Sequence, residues 1–128
     1  LHILKVEKIK ETLLGIITNA TDKHQACIDV CNKWVQACYE CFNECLQEPD
    51  IQARDKCIRS LIECAQMCQM SAGLMSLNAS MAKEHCKLCA EICKMCAKEC
   101  DKFKDDHCKQ CADVCRMCAD ECRKMAKQ

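Results

Sequence analysis

Apolar and polar positions alternate along this chain with a helical period, and the pattern is sharpest over residues 85–122. These read HCKLCAEICKMCAKEC, a short break, then HCKQCADVCRMCADEC. They are two copies of one 16-residue unit, offset by 22 positions and identical at 11. Cysteine falls at 86, 89, 93, 96 and 100 in the first copy, and at 108, 111, 115, 118 and 122 in the second. Gaps of 3, 4, 3, 4 are the a/d spacing of a heptad, so on a helix the five thiols of each copy share one stripe. Lys, Glu, Asp and Arg stand between them. The pattern predicts helices over about 79–102 and 105–126, each with a charged outer face and an inner face made largely of sulfur. From Cys86 to Cys100 the ladder spans about 21 Å at 1.5 Å per residue.

The same period runs through the earlier chain. A helix over about 22–47 carries Cys27, Cys31, Cys38, Cys41 and Cys45, with gaps of 4, 7, 3 and 4. Splitting the seven as three plus four puts Trp34 on the thiol stripe as a plug, unless it sits on the flank against another helix. His24 also falls on the stripe, either as an extra soft-metal ligand or as a hydrogen-bonded helix-terminal residue. A helix over about 50–72 carries Cys57, Cys64 and Cys68; Leu61 completes the pattern, and Ser71 and Met75 continue it. Residues 1–18 (LHILKVEKIKETLLGIIT) have no cysteine, but Ile3, Leu4, Val6, Ile9, Leu13, Leu14, Ile16 and Ile17 recur at helical spacing. They predict an accessory amphipathic helix on the bundle or on a neighbouring subunit. Its mixed charges disfavour a membrane-surface helix.

Breaks fall where turn and cap chemistry places them. Thr21 or Asp22 can cap the 22–47 helix and Asn78 or Ser80 the fourth. Glu48-Pro49-Asp50 makes one turn, Gly73 is a candidate C-cap, and Lys104-Asp105-Asp106 makes the last turn. Short turns between long helices predict an all-α, antiparallel four-helix bundle with a cysteine-lined core. The single domain covers 1–128, with 1–20 as the accessory helix and 22–126 as the bundle. One end of the bundle then gathers His24, Met75, Met81 and Met125. The other gathers Cys45, Cys57, Cys100, Phe103, His107 and Cys108.

Composition changes this picture in two ways. The chain has 18 cysteines in 128 residues but only one Trp, one Tyr and two Phe, so apolar bulk is thin. Leu61, Ile62, Leu88, Ile92, Phe103 and Val114 are expected to support a core without metal. Charges balance at 19 basic and 19 acidic; without a basic stripe, nucleic acid is not the expected partner. No apolar run approaches the roughly 18 residues that span a bilayer, so no membrane role is expected. With no secretory or twin-arginine segment visible, a reduced, cytoplasmic setting is expected. Disulfides fit poorly: neighbours at i, i+3 and i, i+4 have Cβ atoms about 5–6 Å apart, whereas a disulfide wants about 3.5–4.5 Å.

An inert thiol core is a poor explanation, because Ala, Val or Leu would fill it without oxidation risk. Thiolates select Cu(I), zinc or iron–sulfur clusters. The tight runs of iron–sulfur sites are missing, and a long uniform ladder does not divide naturally into closed zinc tetrahedra. Cu(I) accepts two or three ligands, and thiolates can bridge successive ions along a ladder. The CxxxC pairs 27/31, 41/45, 64/68, 89/93, 96/100, 111/115 and 118/122 each set two thiols one turn apart. A zinc or cadmium reservoir is one alternative. A thiol redox protein or sensor is another, since Cys86/Cys89 and Cys108/Cys111 lie near helix starts. No nucleophile–base–orienter constellation points to an enzyme.

Cys86–Cys100 and Cys108–Cys122, with CYECFNEC at 38–45, CAQMC at 64–68 and the ECDKF and ADECRKMA segments, resemble the four-helix-bundle copper storage proteins over about 22–126. The resemblance implies many Cu(I) ions per chain, bound by cysteines lining the interior, a homotetramer, and loading through one end. The expected ligands are Cys27, Cys31, Cys38, Cys41, Cys45, Cys57, Cys64, Cys68, Cys86, Cys89, Cys93, Cys96, Cys100, Cys108, Cys111, Cys115, Cys118 and Cys122. His107 is expected to join them at the loading end, where Cys45, Cys57, Cys100 and Cys108 would meet an arriving ion; otherwise it is a solvated helix-start residue.

Overall fold

The computed structural model describes residues 15–17 and 24–128. Four helices follow in order: α1 (Gln25–Leu46), α2 (Asp55–Ser76), α3 (Ala82–Cys100) and α4 (Asp106–Ala126), with a 3-10 turn at Ile51–Arg54 before α2. No strand occurs among the described residues. Connectors are short, so successive helices run antiparallel. Each helix packs on two neighbours, α1 on α2, α2 on α3, α3 on α4 and α4 back on α1, and the diagonal pairs face each other across the interior.

The heptad stripes turn inward on all four helices. On α3 and α4 the buried faces are cysteine backed by alanine: Ala82, Ala90 and Ala97 on one, Ala112 and Ala119 on the other. These small side chains beside the thiols let the helix axes close up, since interaxial distance follows contact side-chain size. Bulk comes from elsewhere. Trp34 and Leu61 are fully buried, and Met75 and Met125 close one end at 2 % and 3 % exposure. Trp34 therefore sits on the thiol stripe as a plug between Cys31 and Cys38. Its Nε1 has no hydrogen-bond partner among the described residues.

Several boundaries differ from the sequence expectation. The second cysteine-bearing helix does not start at 50: Pro49 is followed by the 3-10 turn, and the α-helix begins at Asp55. The tighter winding swings Arg54 into the interior, where it is 3 % exposed. Gly73 is not a cap. The helix runs on to Ser76 and ends in a Schellman motif, with Asn78 at φ 52°. There Asn78 N–H donates to Met75 O at 3.1 Å and Ala79 N–H to Leu74 O at 3.0 Å. Asn supplies the left-handed residue because its short polar side chain tolerates that conformation. Asn78 and Ser80 do not cap α3, whose N-cap is Met81 without a side-chain bond.

Met81 and Leu88 are surface residues, 60 % and 53 % exposed, not core. Leu88 stands two residues from Cys86, about 200° round the helix, and so points away from the stripe. Residues 15–17 are not helical, and Ile16 and Ile17 are exposed, so the expected 1–18 helix does not run through them. The rest of that helix and the Thr21/Asp22 cap lie outside the described residues. No helix among the described residues is long and apolar enough to cross a membrane.

Candidate metal centre

All eighteen cysteines are free and buried, each on the inner stripe of its helix. Antiparallel packing sets thiols of different helices level with one another. Near the start of α1, Cys27, Cys86 and Cys122 come together, and Cys31 meets Cys118 and Cys122. Cys68, Cys89, Cys93 and Cys118 form a four-sulfur group, with Cys68 Sγ 3.5 Å from Cys89, 3.7 Å from Cys93 and 3.6 Å from Cys118. Further along, Cys41, Cys100 and Cys111 make another group, followed by Cys41, Cys45, Cys108 and His107. Within each group the ligand atoms lie within 4.8 Å of one another. Cys57 Sγ stands 3.8 Å from Cys100, and Ser60 Oγ donates to Cys96 Sγ at 3.5 Å. Cys38, Cys64 and Cys115 are fully buried in the same core.

The distances select a chemistry. A disulfide needs about 2.04 Å between sulfurs, far less than any thiol pair here. With metal–sulfur bonds of about 2.3 Å, as for zinc thiolates, three sulfurs around one ion stand about 4.0 Å apart and two in line about 4.6 Å. The cross-helix thiol pairs at 3.5–3.9 Å already approach the trigonal spacing. Sharing of Cys118, Cys122 and Cys41 between groups suits bridging thiolates better than isolated tetrahedra. Burial pushes the Cys38 and Cys115 thiols well above the ordinary range, so both are protonated at neutral pH. A metal ion must displace those protons, which makes its binding stronger as pH rises.

His107 stands beside the thiols at this end. Its Nδ1 lies 3.6 Å from both Cys41 Sγ and Cys108 Sγ. On the other side Nε2 is 3.1 Å from Glu48 Oε1 and 3.4 Å from Asp105 Oδ2. Carboxylates accept, so Nε2 donates to them and Nδ1 is the ring nitrogen that faces the thiols, the orientation of a metal-ligating histidine with an outer carboxylate partner. His24 is buried at the opposite end beside Cys27 and Met125.

The stripe pattern missed Arg54. Its guanidinium donates to Asp105 through Nη1 and Nη2 at 2.8 and 2.7 Å and to Asp50 through Nε at 2.7 Å. Nη1 also points at Cys45 Sγ (3.6 Å) and Cys108 Sγ (3.5 Å), and the Phe103 ring lies 4.4 Å from the guanidinium carbon. The sequence expectation that Cys45, Cys57, Cys100 and Cys108 open to an arriving ion is corrected here: they are at most 1 % exposed, and Arg54 covers two of them. Only the Asp50/Arg54 spacing of four hinted at an ion pair; nothing local pointed to Asp105.

Known proteins with this architecture hold copper. The Cu(I)-bound copper storage protein BsCsp3 is 43 % identical with a TM-score of 0.75, covering 80 % of this chain and 96 % of its own. The copper storage protein Ccsp of Streptomyces lividans, loaded with 10 copper equivalents, is 31 % identical with a TM-score of 0.78, covering 81 % of this chain and 83 % of its own. A structure of five coppers in a cytosolic copper storage protein from that organism gives a TM-score of 0.77 at 31 % identity over 80 % of this chain and 90 % of its own. The uncharacterized cysteine-rich protein YhjQ of Bacillus subtilis (strain 168) is 42 % identical over 51 residues, which are 40 % of this chain and 47 % of that protein; the match spans about half of that curated relative. The copper storage protein pattern itself matches residues 20–127, the stretch that holds every one of the eighteen inward thiols, and the chain belongs to the copper storage protein family.

Proposed function

We propose that this protein stores Cu(I), many ions per chain, on the cysteine thiolates lining its bundle, with His107 as an additional ligand, and that it catalyses no reaction. The observation that carries the reading is the end-to-end series of thiol groups, each with ligand atoms within 4.8 Å and all donors buried. Buried thiolates coordinate copper while shielding it from water and oxidants, which suits a reservoir better than a turnover site with an open position. A redox protein needs an exposed, low-pKa thiol; Cys86 and Cys108 are fully buried and Cys89 and Cys111 at most 2 % exposed. The domain is 1–128, with 22–126 as bundle and 1–20 as an accessory N-terminal segment, working in the cytoplasm as a homotetramer like that implied by its family.

An anaerobic Cu(I) titration against a competing chelator, with a parallel thiol count, tests this. Uptake on the order of one ion per thiol supports storage. Saturation at one or two ions, or defined disulfides that turn over, refutes it. A zinc or cadmium reservoir would instead carry those ions rather than copper when isolated from cells, bound in closed four-sulfur sites.

A further inference from the structure

Arg54 does more than the turn before α2 requires. Of the five N–H groups of a guanidinium, Nε serves Asp50, and Nη2 with one proton of Nη1 serves Asp105. Those bonds, with the Phe103 ring, fix the group in the interior. The second Nη1 proton is left over. It points between Cys45 Sγ at 3.6 Å and Cys108 Sγ at 3.5 Å. Ser60 Oγ also donates to a thiol, that of Cys96, but of these two donors only Arg54 is charged. The sulfurs that Arg54 meets belong, with Cys41 and His107, to one group of candidate copper ligands. His107 is the half-buried member of that group, so its ion is the one an outside chelator meets first at this end.

Without metal the acceptors are neutral thiols, which hydrogen-bond weakly. Copper changes them. Each thiolate brings a negative charge, so a singly charged ion shared by several thiolates leaves net negative charge on sulfur. A hydrogen bond gains strength when its acceptor is ionised as well as its donor, because attraction between opposite charges is added. The guanidinium is already in place to make that bond. Its two carboxylates offset its own charge, so it does not turn away an arriving cation. We propose that Arg54 is a positioning residue of the copper site: it hydrogen-bonds the copper-bound sulfurs of Cys45 and Cys108 and so holds the ion nearest His107. This rests on the storage reading, and it leaves the His107 end as the mouth.

The test loads the whole protein with Cu(I) to its measured capacity, anaerobically, and follows transfer to excess bathocuproine disulfonate. In Arg54→Met about one ion per chain should leave roughly tenfold faster than in the wild type, as loss of a charge-assisted bond implies. The other ions should leave at wild-type rates. Unchanged release overturns the proposal, because the bond to sulfur then holds no copper. Equal acceleration of every ion also overturns it, because the residue then serves only the fold. A second measurement needs no variant. In wild-type protein carrying isotope-labelled arginine, the Arg54 side-chain N–H signals are compared by NMR before and after loading. They should shift and exchange with water more slowly in the loaded protein; signals that do not change overturn the proposal even where Arg54→Met fails to fold. Low copper capacity in the wild type would sink the storage reading instead, and the Arg54 signals would still show whether the copper that does bind reaches Cys45 and Cys108.

Discussion

α3 and α4 carry the same repeat, and each has a His-Cys-Lys near its start, yet the two histidines do different things. His107 sits between thiols and carboxylates, with Nδ1 toward Cys41 and Cys108 and Nε2 toward Glu48. His85, its counterpart, turns Nδ1 to Ser71 Oγ at 2.8 Å, and its buried Nε2 has no hydrogen-bond partner among the described residues. Antiparallel packing puts them at opposite ends. At the His107 end α1 still presents cysteine; at the His85 end the cysteine row of α2 has given way to Ser71 and Met75. One end is held by charges, Arg54 with Asp105 and Asp50, and the other by apolar packing of Met75 and Met125. A repeated sequence therefore turns its histidine toward sulfur or toward a hydroxyl according to what the neighbouring helix offers.

The largest effect should come from the apolar end. Met75→Ala leaves a hole at a site 2 % exposed and should cost the apo protein about 2–5 kcal/mol in urea unfolding, with no titration of its own between pH 3 and 7. At the charged end Asp105→Ala should cost about 1.5–3 kcal/mol at pH 7, the range of hydrogen bonds to charged groups. That cost should fade in acid. The Arg54 guanidinium holds the Asp105 carboxyl at about 2, below the unfolded value of about 3.9. The stabilisation is thus fully present above about 3.9 and lost as pH falls through about 2. An Asp105→Ala cost that persists unchanged at pH 2 would show that charge does not hold this end.

Function should divide the ends as sharply. His107→Ala is expected to slow Cu(I) uptake roughly tenfold, about 1.4 kcal/mol in barrier, with total capacity nearly unchanged; His85→Ala is expected to change the rate less than twofold. Equal slowing by both would erase the distinction. The smallest effect lies near the end of α2. Gly73 is helical and exposed, and a Cβ there meets nothing within 4 Å. Gly73→Ala should stabilise the apo protein by about 0.5–1 kcal/mol in thermal melts. A loss of stability would mean that the helix needs glycine at that point.

Much of the site was legible because one physical signal repeats. Cysteines at gaps of 3 and 4 place themselves on one helical face, and eighteen of them cannot all face water in a chain with so little other apolar bulk. The four helices, their order and the inward stripes follow from periodicity alone, whereas Trp34 could have stood on the stripe or on the flank until its full burial placed it inside. Less legible were features set by contacts between elements. Gly73 read as a cap because glycine favours that role, but packing of Met75 carried α2 a turn further and left the left-handed position to Asn78. Leu88 read as core, and Met81 as part of one bundle end, from hydrophobicity, yet the thiol and alanine positions had already filled the inner face of α3 and left both exposed.

Periodicity and composition thus settled the soft-ligand ladder and its direction inward, since side-chain direction on a helix is a local property of backbone geometry. Tertiary structure decided which thiols meet across helices, that Arg54 closes the axial end on Asp105 fifty-one residues away, and that His107 rather than His85 faces sulfur. Those outcomes depend on the level at which antiparallel helices pass one another. Each helix carries its own stripe, but only packing all four together sets that register.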